Sequence, residues 1–158
     1  NKNLRGVKGE IAIVRNPDFA LSRPVRLMHP RYPLYIVPRP DHVFMIGATI
    51  IESDEGTHVS LRSSMELLSA LYSLHPSFGE AEIIELSAGI RPAYPDNLPR
   101  IVVNDHIISA NGLFRHGFLF SPLMARAIAD HLQGKDNEHW TLLTHGQKTD
   151  KSDDQRAA

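Results

Sequence analysis

The sequence has 158 residues, which is the length of one domain or of two small ones. Its 17 lysines and arginines nearly balance 18 aspartates and glutamates, and this excludes a strongly basic nucleic-acid-binding protein. There is no cysteine, so disulfides, cysteine-ligated metal sites and a cysteine nucleophile are also excluded.

The first part of the chain is predicted to form strands separated by turns. Apolar runs indicate strands over 8–15, 25–29, 32–38 and 43–47. The Pro40–Asp41 pair favours a turn, so the last two runs are expected to form a β-hairpin.

A helix is predicted from Leu61 to about Leu74. Ser60 is suited to the N-cap, and His75 followed by Pro76 ends the helix. Apolar residues three and four apart predict the buried stripe, namely Leu61, Met65, Leu68, Leu71 and Tyr72.

The second part repeats this order of strands followed by a helix. Strands are predicted over 83–90, 101–103 and 106–109, with a turn at Asn104–Asp105. A helix over 118–133 follows a glycine-bounded loop and ends at Gly134, with a predicted stripe of Leu119, Leu123, Ala127, Ile128 and Leu132. Residues 1–145 are interpreted as one structured portion, and the polar residues 146–158 as a disordered tail.

Strands and helices come in groups rather than in βαβ alternation. This order favours an α+β fold with a mostly antiparallel sheet and flanking helices. No apolar run approaches the ~18 residues of a membrane span, so we expect neither a membrane nor a nucleic-acid partner.

Several well-known chemical motifs are missing. There is no G-x-G-x-x-G dinucleotide motif. Gly112 and Gly117 have the spacing of a phosphate loop, but Phe118 and Leu119 stand where lysine and serine or threonine are required. The nine histidines do not show metal-ligand spacing, so no metal site is expected.

Arg91 and Arg115 are candidates for binding an anion. A planar guanidinium offers a carboxylate two parallel hydrogen bonds, although each arginine taken alone is more simply interpreted as a surface ion-pair partner. Tyr35 lies in an apolar strand, and its hydroxyl points either into a pocket or to the rim of the core. The helix that opens after 111–117 presents N–H groups to an anion, or is an ordinary helix start.

Taken in order, short motifs over most of the chain resemble the C-terminal part of FAD-dependent amine oxidases. Within this group, the chain most resembles the glycine oxidases of thiamine biosynthesis, which are relatives of the D-amino-acid oxidases. The resemblance runs from about Arg5 to Trp140 and rests on Tyr35–Arg39, Ile46–Thr49, Ala88–Pro92, Asp96–Pro99, Asn111–Gly117 and Pro122.

The resemblance implies a substrate-domain sheet together with the last flavin-contacting strand and helix. It implies that Arg91 binds the substrate carboxylate with help from Tyr35, and that Arg115 lies near substrate and flavin. It also implies that the backbone at His116, Gly117 and Phe118 faces the flavin pyrimidine ring. No side chain is implied to act as a catalytic acid or base.

The implied reaction oxidises glycine, a small D-amino acid or another amine to the imino product and releases hydrogen peroxide, in the cytoplasm. Asn97 and Asn111 depart from the family pattern, and the exact substrate stays open. The N-terminal FAD-binding part of such enzymes has no counterpart here. We therefore expect a fragment that is inactive alone, binds FAD weakly and associates into a dimer through exposed apolar surface.

Two alternatives stay open. The chain is also interpretable as a non-enzymatic anion-binding or interaction module. It is further interpretable as part of an amine dehydrogenase that passes electrons to a quinone or a carrier instead of oxygen.

Overall fold

Four apolar runs of the first half of the chain and one of the second half form a five-stranded sheet. The computed structural model describes residues 3–28 and 34–144. The strands are β1 (Arg5–Arg15), β2 (Val25–Leu27), β3 (Leu34–Pro38), β4 (Val43–Gly47) and β5 (Glu82–Ala93), and they lie in the order β2-β3-β4-β1-β5. Part of the predicted 25–29 and 32–38 strands lies outside the described residues.

The predicted hairpin of β3 and β4 is confirmed. The two strands pair antiparallel, and the N–H of Arg39 donates to the carbonyl of Val43 at 2.7 Å. Asp41 and His42 both adopt positive φ at the turn, with values of 61° and 56°. Aspartate tolerates this region because its short side chain bonds locally.

The described residues form two compact units, one within Gly6–Arg91 and the other made of residues 3–5 and 92–144. The core of the first unit lies between one face of the sheet and two helical segments, α1 (Leu61–Leu74) and a short 3-10 helix (Pro76–Glu80). Its buried apolar residues are Ala12, Val14, Leu34, Ile36, Phe44, Ile46, Leu67, Leu71 and Phe78.

Helix α1 has the predicted bounds, and the predicted buried stripe is confirmed at Leu68 and Leu71 but wrong at Leu61, Met65 and Tyr72. The N-cap prediction is confirmed, since the Ser63 N–H donates to the Ser60 hydroxyl. Leu61 and Met65, expected inside, are 78% and 61% exposed. The helix is turned so that its buried face holds Ser63, Leu67 and Leu71.

The second unit combines a two-stranded sheet with two helices. Its elements are β6 (Arg100–Asn104), β7 (Ile107–Asn111), α2 (Gly117–Leu132) and α3 (Glu138–Thr144). The predicted strand pair around Asn104–Asp105 is confirmed as an antiparallel hairpin. Ile101, Met124, Ala127 and Leu143 form the buried core of this unit.

Two features of α2 and α3 differ from expectation. Helix α3 was not predicted, and the Leu119 and Leu132 side chains of α2 are 70% and 71% exposed rather than buried. The C-terminal cap of α2 is as predicted, because Gly134 has a φ of +66°.

The observed elements confirm the α+β class, and every strand pair given by its register is antiparallel. Within residues 3–28 and 34–144, none of the helices has the length and apolar character that crossing a bilayer demands. The predicted tail, 146–158, lies outside the described residues.

Candidate functional site

Tyr35 lies on the face of the sheet opposite α1. The β3–β4 register places it beside Gly47, and the β1–β4 register places Gly47 beside Ile11. Directly paired residues point to the same side of a sheet, and so do residues two apart on one strand. Gly9, two residues before Ile11, therefore belongs to the same face as Tyr35.

The Tyr35 ring lies directly over Gly47. A Cβ atom at Gly47 would come within 2.6 Å of the Tyr35 hydroxyl oxygen. A real Cβ atom does not come so close to another side chain, so only glycine at this position leaves room for the Tyr35 phenol to lie against the sheet. The Tyr35 side chain is half-buried there.

Arg91 makes the equivalent contact with Gly9. A Cβ at Gly9 would overlap both terminal nitrogens and the central carbon of the guanidinium. Arg91 lies within β5 rather than at the strand end that the sequence predicted, and it is half-buried. Tyr35 and Arg91 thus share one sheet face, each lying above a glycine.

Thr49 fixes the orientation of the Arg91 guanidinium. The Nη1 of Arg91 donates to the Thr49 carbonyl at 3.2 Å. Thr49 is itself held to β1, because its N–H donates to the Glu10 carbonyl and its hydroxyl accepts from the Glu10 N–H. A guanidinium fixed in this manner presents its planar fork in a defined direction.

Four residues of this face were not singled out from the sequence. Gly9, Gly47 and Thr49 carry no chemical signal of their own, and Arg26 is brought opposite Tyr35 only by the β2–β3 register. Such residues are found only when the pairing of distant strands is known, because the sequence does not fix register between separate runs.

The other predicted site residues, Arg115 to Phe118, belong to the second unit and are described on their own. Arg115 and His116 are exposed, Gly117 is half-buried, and Phe118 is fully exposed. They form the entry of α2, where the His116 N–H donates to the Leu113 carbonyl at 2.8 Å.

The first turn of α2 presents backbone N–H groups that are able to bind an anion. The N-cap residue is His116, and it makes no side-chain capping bond. The N–H groups at the start of a helix have no partner inside the helix, and the helix dipole makes this end positive. Its backbone donors can therefore face a negatively charged or carbonyl-bearing ring.

Metal chemistry is not indicated by the part of the chain that the structure describes. Among those residues, no group of three or more histidine, cysteine, aspartate or glutamate side chains is placed to hold a metal ion. The candidate groups of the first unit are cationic and hydroxyl side chains on a sheet, and those of the second unit are backbone donors at the start of a helix.

Known proteins similar to this chain include an oxidoreductase of thiamine biosynthesis and glycine oxidases. A Rhizobium etli protein, assigned by name to thiamine biosynthesis as the oxidoreductase ThiO, is 57% identical over 129 residues. Those residues are 82% of this chain and 39% of that protein. The glycine oxidase of Bacillus licheniformis is 33% identical over 137 residues, which are 85% of this chain and 36% of that enzyme.

Solved structures give the same result. The crystal structure of glycine oxidase from Geobacillus kaustophilus superposes with a TM-score of 0.75 at 31% identity. The match covers 86% of this chain and 37% of that one, so the chain spans well under half the length of these relatives. The model of the family described as FAD dependent oxidoreductase matches residues 1–131. The resemblance found in the sequence is confirmed: this chain belongs to the FAD-dependent oxidoreductase family.

Proposed function

We propose that this chain is the substrate-binding portion of a flavin-dependent oxidase acting on glycine or a small amino acid, in thiamine biosynthesis. The observation that carries the proposal is the Arg91 guanidinium lying on Gly9, on the same sheet face as Tyr35. The names of the relatives supply the reaction class.

In this proposal Arg91 binds the substrate carboxylate through its planar fork. A bidentate charge-assisted pair fixes both the position and the orientation of an amino acid. The Tyr35 hydroxyl adds a donor on the same face, and Arg26, opposite Tyr35, adds positive charge. In enzymes that use a redox cofactor, the protein chiefly orients the substrate, here its Cα atom, toward the reactive atom of the cofactor.

The residues present fit part of an FAD site. The N-terminus of α2 offers the backbone N–H groups of Gly117 and Phe118, and the N-cap residue His116 makes no side-chain capping bond. Arg115 adds an exposed cation to this end. When bound, FAD supplies the hydride acceptor for oxidation of the amino acid, and a positive helix end favours negative charge near it.

The test is substitution of Arg91 by lysine in the complete oxidase that contains this chain. Lysine keeps the charge but loses the two-pronged geometry, so KM for glycine is expected to rise about tenfold or more. Steady-state peroxide release measures this change, and oxygen consumption in the same assay identifies oxygen as the electron acceptor.

Arg15→Lys is the matched control. Arg15 is on the same sheet, but it pairs with Glu82 at 2.7 Å in an exposed ion pair, which contributes little to stability. KM is expected to stay unchanged in this variant. An unchanged KM in Arg91→Lys would contradict the carboxylate-binding role. A cytoplasmic location, consistent with a chain that has no cysteine for disulfides, is part of the same proposal.

A further inference from the structure

Beyond the end of β4 the chain stays paired with β1 through Thr49 and Ile51. Lys8 and Ile51 exchange two backbone hydrogen bonds, since the Lys8 N–H donates to the Ile51 carbonyl at 2.8 Å and receives the Ile51 N–H on its own carbonyl at 3.0 Å. In an antiparallel ladder such doubly bonded pairs recur every two residues along each strand. The next doubly bonded pair is therefore expected to be Glu10 with Thr49.

The pair of Glu10 and Thr49 uses a side chain for one of its two ladder bonds. The Thr49 N–H donates to the Glu10 carbonyl at 3.2 Å, as a regular ladder requires. The Glu10 N–H donates to the Thr49 hydroxyl at 2.9 Å, where a regular ladder would use the Thr49 carbonyl. The hydroxyl of Thr49 thus takes the place of its own carbonyl as the acceptor.

A one-residue shift in register precedes this pair. Ile11 lies opposite Gly47, whereas Glu10, the neighbouring residue of β1, is bonded to Thr49. Ala48 is therefore an extra residue, as in a β-bulge. A bulge disrupts the ladder locally and re-aims the groups beside it, so the Thr49 carbonyl need not follow the regular ladder direction.

The Thr49 carbonyl accepts a hydrogen bond from Arg91 instead. The Nη1 of Arg91 donates to it at 3.2 Å. A hydrogen bond with a charged donor is stronger than one between neutral groups. Because the guanidinium also lies directly over Gly9, it is held from two directions, by the Thr49 carbonyl and by the backbone of β1.

We propose that Thr49 is a positioning residue for substrate binding, whose hydroxyl occupies the Glu10 N–H so that its carbonyl can orient Arg91. This inference rests on the proposed carboxylate-binding role of Arg91. Glu10 is completely buried, so its N–H needs an acceptor within the protein. Without the hydroxyl, the ladder offers the Thr49 carbonyl as that acceptor, and a carbonyl turned toward Glu10 is turned away from Arg91.

Couplings across hydrogen bonds, measured by NMR in the isotope-labelled full chain, test the choice of acceptor directly. In the unchanged chain we expect a coupling from the Thr49 nitrogen to the Glu10 carbonyl carbon, and none from the Glu10 nitrogen to the Thr49 carbonyl carbon. Thr49→Val keeps the shape but loses the hydroxyl, so the second coupling should appear. Thr49→Ser keeps the hydroxyl and should behave like the unchanged chain. The second coupling in the unchanged chain would overturn the proposal even if Thr49→Val did not fold.

Kinetics of the complete oxidase test the consequence for the substrate. Thr49→Val is expected to raise KM for glycine about tenfold and to leave kcat nearly unchanged, because a misaligned guanidinium weakens binding of the ground state and the transition state alike. Thr49→Ser should restore KM. Thr57→Val, at an exposed threonine of the same unit, is the matched control and should leave KM unchanged. A lower melting temperature of Thr49→Val with an unchanged KM would mean a purely structural role and would refute the proposal.

Failure of this inference differs from failure of the proposed function. If Arg91→Lys raises KM and Thr49→Val does not, the positioning role of Thr49 is wrong and the carboxylate-binding role of Arg91 stands. If neither variant raises KM, the carboxylate-binding role is wrong, and the positioning role fails with it.

Discussion

At Gly9 and Gly47 the absence of a side chain leaves room for two functional groups. The Arg91 guanidinium occupies the space above Gly9, and the Tyr35 hydroxyl occupies the space above Gly47. Neither glycine has a positive φ, so the need for glycine here is one of space rather than of backbone conformation. The height of both polar groups above the sheet is thus set by residues with no side chain.

Gly9→Ala is expected to displace Arg91 without unfolding the chain. The atoms in the way are the far end of a flexible side chain, which can move aside. In the complete oxidase we expect KM for the amino acid to rise about tenfold, since the displaced fork loses its alignment with the carboxylate. Steady-state kinetics measures this, and the melting temperature should change little.

Gly89→Ala on β5 is the control for Gly9→Ala. A Cβ at Gly89 would meet no atom within 4 Å, so neither KM nor the melting temperature should change. If Gly9→Ala and Gly89→Ala gave the same KM, the contact between Gly9 and Arg91 would have no part in substrate binding.

At the scale of elements, helix α1 shows why the predicted stripe is only partly right. The helix carries two apolar rows, one through Leu61 and Met65 and the other through Leu67 and Leu71. The second row faces the sheet, although it begins with Ser63. Ser63 is buried beside the Glu10 carboxylate, which compensates its polarity. The predicted stripe combined the first row with Leu71 of the second, because hydrophobicity alone does not fix how the helix is rotated against the sheet.

Helices α2 and α3 are joined by the carboxylate of Asp130. It accepts from the Asn137 side chain at 2.8 Å and from the Arg126 Nε at 3.0 Å. These two bonds, the first being the stronger cause, hold the pKa of Asp130 below its ordinary value. Asp130 thereby ties the loop before α3 to the last turns of α2.

This depressed pKa predicts an acid-sensitive contribution to stability. The unfolded carboxyl titrates near ~3.9, so the ionised group stabilises the fold fully above that pH and loses this effect as pH falls through the folded pKa. Urea midpoints measured from neutral pH to about pH 3 should fall less steeply for Asp130→Asn than for the unchanged chain.

Asp136→Asn, at an exposed aspartate of the same loop, serves as the control for Asp130→Asn. The urea midpoint of this variant should equal that of the unchanged chain at every pH. A difference between Asp130→Asn and the unchanged chain that stayed constant down to pH 3 would argue against the ionised Asp130 as the cause.

At the scale of the whole molecule, the chain carries the proposed carboxylate-binding face together with a sequence that contains no dinucleotide-binding motif. There is no G-x-G-x-x-G motif, and the dipole of one helix N-terminus contributes only about 0.3–1 kcal/mol. We expect that the purified chain does not retain FAD and that its binding is not saturated at micromolar FAD. Flavin fluorescence titration measures this, and a stoichiometric yellow complex would contradict it.

Exposed apolar side chains in the second unit predict self-association. Phe118 is fully exposed, and Leu119, Leu132 and Leu142 are 70–76% exposed. Apolar surface of this kind favours association in water. Light scattering over a range of concentrations should show a growing mass, reduced in Leu132→Lys. A constant monomer mass would refute the expectation.

The sequence by itself determined the local features of this protein. Ser60 as the cap of α1, the two hairpins and the Gly134 cap depend on neighbours in the chain, so the pattern of residues predicts them. The order of short motifs indicated the family, and the resemblance implied a carboxylate-binding role for Arg91 and Tyr35, which stays a prediction. Helix α3 was not predicted because a seven-residue segment covers only about two helical turns, which is too few to show a helical repeat of apolar residues.

Tertiary structure alone decided which faces meet. Gly9, Thr49 and Arg91 come from separate parts of the chain, and strand pairing brings them together. The same pairing leaves the Glu10 side chain on the opposite face, beside the N-cap of α1. The physical reason is that burial depends on register and on helix rotation, which are set by the packing of distant segments and not by local sequence.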